Sequence, residues 1–353
     1  MRGSLHAAPR DGVAAALLAA LLFGAGTPFA KLLLPGTAPL LLAGLLYTGA
    51  GLGLGAVRLF RRTRGRAQRE ARLRGDDLPL LAGIVLTGGV VSPVLALLGL
   101  ARLPASEASL LLNLEVPFTV LLAVALFGEH LGGRALIATV LIVLGGAALG
   151  DGGADLQGRR IGSALVAAAC LGWALDNNLT QRLSLRDPNA LALVKTLAAG
   201  AINLALALVV GYALPAARPL VAALVVGSVS YGMSIVLAIH AMRRLGAARQ
   251  AALFAVAPFA GALLSVALLG ERMEPLAALA MAAGVVLLVR ERHAHEHLHE
   301  PLEHDHLHVH DAHHDHEHEG TEEPGEPHAH PHRHRRLSHA HPHVSDAHHR
   351  HTH

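Results

Sequence analysis

"LEVPFTVLLAVALFGEHLGGRALIATVLIVLGGAAL" (Leu114–Leu149) and "FAVAPFAGALLSVALLGERMEPLAALAMAAGVVLL" (Phe254–Leu288) are two versions of one pattern. Each runs apolar–Pro–Phe, then through an apolar stretch to Gly-Glu, then into a short apolar helix. Pro117 answers Pro258, and Gly128-Glu129 answers Gly270-Glu271, with a slip of one residue. A structural role is expected for all six: the prolines break helices, and the Gly-Glu pairs end one helix and start the next. The repeat divides the apolar part of the chain into a first half, 13–150, and a second half, 161–290.

Outward from the repeat, the chain continues as Leu/Ala/Val/Gly runs of about 20 residues, the length that spans a bilayer. Ten spans are expected: 13–34, 39–57, 79–100, 105–127, 135–150, 161–180, 189–214, 219–241, 250–269 and 275–289. Backbone groups in lipid must be satisfied within each segment, and the runs lack the period-2 alternation of barrel strands, so the spans are helices. The fold class is an all-α membrane protein. Five spans per half is an odd number, so the second half crosses in the opposite sense. That is an inverted-topology repeat, the architecture of alternating access. The first run leads through Lys31 into another apolar run without a clear cleavage site, and is expected to be a retained membrane helix.

Charge sets the expected orientation. Eight arginines fall between Arg58 and Arg74, and Arg134, Arg182, Arg186, Arg243, Arg244 and Arg249 join them on one side. The other side holds Arg102, Arg159, Arg160, Arg218 and Arg272. The bias favours a cytoplasmic N-terminus, and ten spans return the C-terminus to the cytoplasm. The arginine run between two spans is therefore a cytoplasmic loop rather than a nucleic-acid site. The single cysteine, Cys170, excludes an intramolecular disulfide and a cysteine-based metal cluster.

The repeat resembles the EamA domain of the drug/metabolite transporter superfamily. "LLFGAGTPFAKLLL", "ASEASLLLNLEVPFTVLLAVALFGEHL" and "GAARQAALFAVAPFAGALLSVALLGERM" carry the likeness, twice over between residues 13 and 290. The first span has Phe23-Gly24 where the family often has Trp-Gly, while the second half supplies Gly172-Trp173. The resemblance implies a ten-helix inner-membrane carrier, often one that exports amino acids or other small metabolites. It fixes no substrate-defining residue.

Ionisable groups inside the spans are few, so each stands out. Glu115 lies near the centre of its span, where an isolated charge costs about 2.5–3.5 kcal/mol by insertion scales, so it should face the bundle interior. It is the candidate for proton coupling or for binding a substrate amine, with Asn113 beside it as lining residue or structural partner. Asp176, Asn177 and Asn178 are three polar residues in a row and cannot all face lipid. They are expected to line a cavity or to bond between helices. Lys195 is a candidate for binding a carboxylate, or a partner for Asp176. Glu107 is expected to reach water or cap a helix start, and Lys31 to snorkel. Residues 1–290 show no nucleophile constellation, phosphate loop or paired metal motif, so no enzyme activity and no required cofactor are expected.

Residues 291–353 form a different segment, holding 23 of the 26 histidines. Little apolar content and several prolines point to a disordered cytoplasmic tail. Imidazoles alternate with carboxylates at His293, His295, His297, His299, His304, His306, His308 and His310, and again at His313, His314, His316 and His318. That donor set suits Zn, Ni, Co and Cu. The expected partners are the lipid bilayer, a small-molecule substrate and, through the tail, a divalent transition metal. The competing readings of the function are a metabolite exporter and a divalent metal exporter with the tail as collector. The oligomeric state is left open.

Overall fold

A computed structural model describes residues 10–64, 71–127, 133–149, 156–183, 186–245 and 247–289. It also describes the backbone of 293–299, 303–308, 328–333 and 337–343. Up to Val289 the described residues form helical rods, labelled here in chain order. They are α1 (Arg10–Leu33), α2 (Pro39–Thr63), α3 (Gly75–Leu100), α4 (Ala105–Leu126) and α5 (Gly133–Leu149). There follow α6 (Leu156–Gln181), α7 (Pro188–Val210), α8 (Ala217–Met242), α9 (Gln250–Leu269) and α10 (Pro275–Val289). Among the described residues, α1–α4 and α7–α9 are long and apolar enough to cross a membrane. The helices α5 and α10 are shorter, and α6, 26 residues long, carries Arg159, Arg160 and Asp176.

The packing obeys a simple exchange. Helix α2 packs on α7, α4 on α9 and α5 on α10; α1 packs on α8 and α9, and α6 on α3 and α4. Swapping α1–α5 for α6–α10 leaves this pattern unchanged. Small residues make the crossings close. A Cβ added at Gly49 of α2 would lie 2.2 Å from the Leu224 carbonyl oxygen, and one at Gly227 of α8 would lie 2.1 Å from that of Leu46. Backbone meets backbone there, which suits a core held by van der Waals packing.

Three departures from regular helix position the site. In α3, Val85–Val91 opens into a π-helix, and in α8 so does Gly227–Met233. The two rods are counterparts under the exchange. In α4, residues Leu112–Leu114 tighten to a 3-10 turn just before Glu115 and Pro117. Its counterpart α9 breaks at Ala255–Val256, just before Pro258. Each proline lacks an N–H, so the helix loses a bond at the matched place in both halves. Gly128 and Glu129 lie outside the described residues.

The seventh span is shorter than the 189–214 expected from hydropathy. Asp187 caps its start, accepting from Asn189 N and Ala190 N at 2.9 and 3.1 Å, with Pro188 in the first turn. Gly211, at φ +93°, ends it at Val210 in a left-handed turn that a side chain would resist. In the tail, four short stretches of backbone are described. The backbones of β1 (His293–His299) and β4 (Leu337–His343) pair antiparallel, as do β2 (Glu303–His308) and β3 (His328–Arg333). The His-x-His spacing has the period of a strand, and the register sets His295 opposite His341 and His306 opposite His330. Of the candidate metal ligands, His310, His313, His314, His316 and His318 lie outside the described residues.

The close crossings generate a prediction. Gly49→Ala and Gly227→Ala should each cost about 1–3 kcal/mol as main chains are forced apart. Gly133→Ala, where a Cβ meets nothing within 4 Å, should leave stability unchanged or raised. Thermal unfolding of the purified protein in detergent measures all three, and equal behaviour of the three variants would contradict the packing account.

Candidate functional site

The π segment of α3 cannot satisfy its Gly88 carbonyl within the helix, because Ser92 N bonds to Thr87 O and Pro93, five residues past Gly88, has no N–H. Side chains from two other rods do so instead. Gly88 O accepts from the Tyr47 hydroxyl of α2 at 2.8 Å and from the Trp173 indole N–H of α6 at 2.9 Å. Gly89 O accepts from Asn203 Nδ2 of α7 at 3.0 Å. The hydrogen of Gly88 matters as well, since a Cβ there would lie 2.2 Å from Asp176 Oδ2. A single turn of α3 thus holds α2, α6 and α7 in register.

Asp176, one turn beyond Trp173 on α6, is 3% exposed and forms an ion pair with Lys195 Nζ of α7. Thr180 Oγ donates to its other oxygen at 3.4 Å. Of the alternatives the sequence offered for Lys195, the pairing with Asp176 is the one present. Glu115, half-buried on α4, accepts from Asn177 Nδ2 at 2.7 Å. The same amide reaches Thr119 Oγ at 3.4 Å, and Thr119 in turn donates to Glu115 O. The acid therefore sits one residue past the 3-10 turn, paired with an exposed asparagine rather than with a cation. Together these side chains carry two carboxylates against one ammonium.

The sequence candidates separate. Glu115, Asp176, Asn177 and Lys195 are brought together by α4, α6 and α7. Asn113 is not, because it is 1% exposed and donates back to Leu110 O at 3.0 Å. Asn178 is 2% exposed and ties α6 to α4 through Thr119 O at 3.1 Å, a bond between helices. Glu107 lines a polar cavity near the start of α4. It is buried, with Arg159 Nη2 at 2.6 Å, because α6 brings that guanidinium alongside the start of α4. The Lys31 ammonium donates to Leu100 O and Leu103 O at the end of α3, both at 2.6 Å. The Cys170 thiol is buried against Leu111 O.

Aromatic residues were missed by sequence reasoning. The chain has only seven Phe, three Tyr and one Trp, yet Phe23, Tyr47, Trp173, Tyr231 and Phe254 gather at the centre. Tyr47 stacks on Tyr231 at 6.4 Å between ring centroids, and Tyr231 meets Phe23 edge-on at 5.6 Å. Phe23 lies 5.3 Å from Phe254 of the second half. The available signal was scarcity: a lone tyrosine in the middle of an apolar span needs a partner for its hydroxyl. Tyr47, Trp173 and Tyr231, with Thr27, Ala108 and Leu112, line a central cavity of about 50 Å³. A cavity of that size has room for a few waters and none for a metabolite. Among the described residues no group of three His, Cys, Asp or Glu side chains could hold a metal ion.

The buried pair can be tested by stability. Lys195→Met should cost about 3–5 kcal/mol, because Asp176 is left charged and unpaired. Adding Asp176→Asn should recover much of that loss. Thermal unfolding of the single and double variants reads the coupling, and purely additive losses would count against it.

The comparisons with known proteins agree with this architecture. The model of the EamA-like transporter family matches residues 10–149 and again 160–290. A protein of Methanothermobacter thermautotrophicus (strain Delta H) described as an uncharacterized transporter is 31% identical over 294 residues. The match covers 78% of this chain and 85% of that protein. One crystal structure shares the fold with a TM-score of 0.55 at 21% identity, over 78% of this chain and 97% of that one. With both halves matched, this multi-pass membrane protein belongs to the EamA-like transporter family.

Proposed function

We propose that the protein is a secondary transporter of the drug/metabolite type that exports a small metabolite, an amino acid or similar compound, by alternating access. In this reading all ten rods cross the inner membrane, α1–α5 and α6–α10 have opposite sense, and both termini are cytoplasmic. The observation that carries it is the contact of Glu115 with Asn177 beside the Asp176–Lys195 pair. Intramembrane ionisable groups are costly and mark transport pathways. Among the described residues Glu115 hydrogen-bonds an amide and no cation, which suits it to exchange a proton for substrate. The Asp176–Lys195 pair is neutral as a unit, and it is suited to open toward a zwitterion, whose ammonium and carboxylate would replace the two partners in turn. The exchange symmetry of the packing supports the inverted repeat, which gives such a carrier its two faces.

A second reading is supported by the tail. With histidine opposite histidine along both tail ladders, bound Zn, Ni, Co or Cu becomes a candidate cargo or regulator. The histidines would then act as a cytosolic collector.

Flux in proteoliposomes separates the two. A panel of amino acids, amines and metal ions is offered under an imposed pH gradient to the full chain and to the chain lacking residues 291–353. Metabolite flux should survive the deletion, and Glu115→Gln should abolish its dependence on the pH gradient. Metal flux that vanishes with the tail would favour the second reading. Unchanged pH dependence in Glu115→Gln would remove the coupling role from that residue.

A further inference from the structure

Residues Ala105–Leu111, the first two turns of α4, are all buried. They stand between two cavities. Ala108 faces the central aromatic cavity, while Glu107 and Leu110 face a second, polar cavity of about 350 Å³. Arg159, Glu271 and Arg272 also line the second cavity, at the end of the bundle where α4 and α6 begin and α9 ends. The half-helix is thus the partition between the centre and one end.

The partition is held from the other half of the chain. Gly270, at φ +67°, ends α9 in a left-handed turn. The turn delivers the Glu271 carboxylate to the start of α4, where its two oxygens accept from Ala105 N at 2.8 Å and Ser106 N at 2.7 Å. The first N–H groups of a helix have no partner within it, and a carboxylate there is favoured both as acceptor and as charge. Ser106 Oγ adds a bond to Arg272 O at 3.2 Å. At the far end of the partition the helix is already interrupted, by the 3-10 turn Leu112–Leu114 and then by Pro117. The segment is pinned at its start and weakened at its finish.

We propose that Ala105–Leu111 is a gate and Glu271 its latch: release of the carboxylate lets the half-helix swing about Leu112–Leu114 and joins the central cavity to the polar one. The Glu107–Arg159 pair lines the passage so opened. The sequence expected Glu271 only to end one helix and start another. Its contacts instead cross the repeat, 165 and 166 residues away in the chain. Because a latch serves a carrier, the inference rests on the transport reading, but its test needs no substrate.

The chain has one cysteine, so Cys170→Ala gives a thiol-free background. In it, Ala108→Cys places a thiol on the central face of the gate, and Met281→Cys places one in the α5–α10 packing as a control for unfolding. Labelling by a membrane-impermeant maleimide is measured in vesicles of each orientation, with Glu271 intact and with Glu271→Ala. The rate at the Ala108→Cys thiol should rise about tenfold or more from one side only, as expected for loss of a charge-assisted bond pair. The Met281→Cys thiol should stay protected, and Glu271→Asp should restore part of the protection. An unchanged rate at the first thiol overturns the latch. So does an equal rise at both thiols, which would make Glu271 a determinant of overall folding and not of one gate. Either failure would leave the transport reading standing, since flux is measured separately.

Discussion

The Gly88 carbonyl is the point on which the centre of the molecule turns. Lipid offers no hydrogen bonds, so a carbonyl that leaves its helical ladder must be satisfied by protein. The π segment of α3 frees this one, and Tyr47 and Trp173 converge on it from α2 and α6. Once Trp173 is fixed, Asp176 lies one turn further along α6, pressed against the missing side chain of Gly88 and facing Lys195. Asn177 then points to Glu115. The aromatic stack begins at the same tyrosine and runs through Tyr231 to Phe23 and Phe254. Charge, aromatic surface and helix register thus follow from one irregular turn.

Much of the scaffold was legible in the sequence. Apolar runs marked the rods, and the Pro–Phe blocks marked the matched breaks in α4 and α9. The grouping of Glu115 with Asp176, Asn177 and Lys195 could be suspected, because charges in apolar runs have few places to go. The π turns could not be read, for nothing in "VLTGGVV" or "GSVSYGM" distinguishes an inserted residue from ordinary close-packed glycine. Nor could the partners of Lys31, Glu107 and Glu271. Each reaches a residue from 50 to more than 160 positions away, and such pairings are set by how rods pack. Hydropathy carries no record of them. The placing of Asn113 has a local reason: beside the 3-10 turn its amide finds a backbone carbonyl three residues back, and buried amides take the partner at hand.

The two halves share a scaffold and divide the chemistry unequally. Aligned on Pro117 and Pro258, Glu115 corresponds to Val256, Asn113 to Phe254 and Glu107 to Ala248. The first half places a carboxylate just after the break in α4, while the second places an aromatic ring just before the break in α9, within reach of Phe23. An inverted repeat makes two conformations available by exchanging the arrangements of its halves, and identical halves would hold them at equal energy. Unequal side chains at the matched breaks lift that equality, because only α4 must keep an acid satisfied on moving. In the carrier proposed above, protonation or a bound substrate at Glu115 would bias one conformation over the other. A ligand shifts such an equilibrium only by its differential affinity for the two states, and the asymmetry at residues 115 and 256 is where that difference can arise.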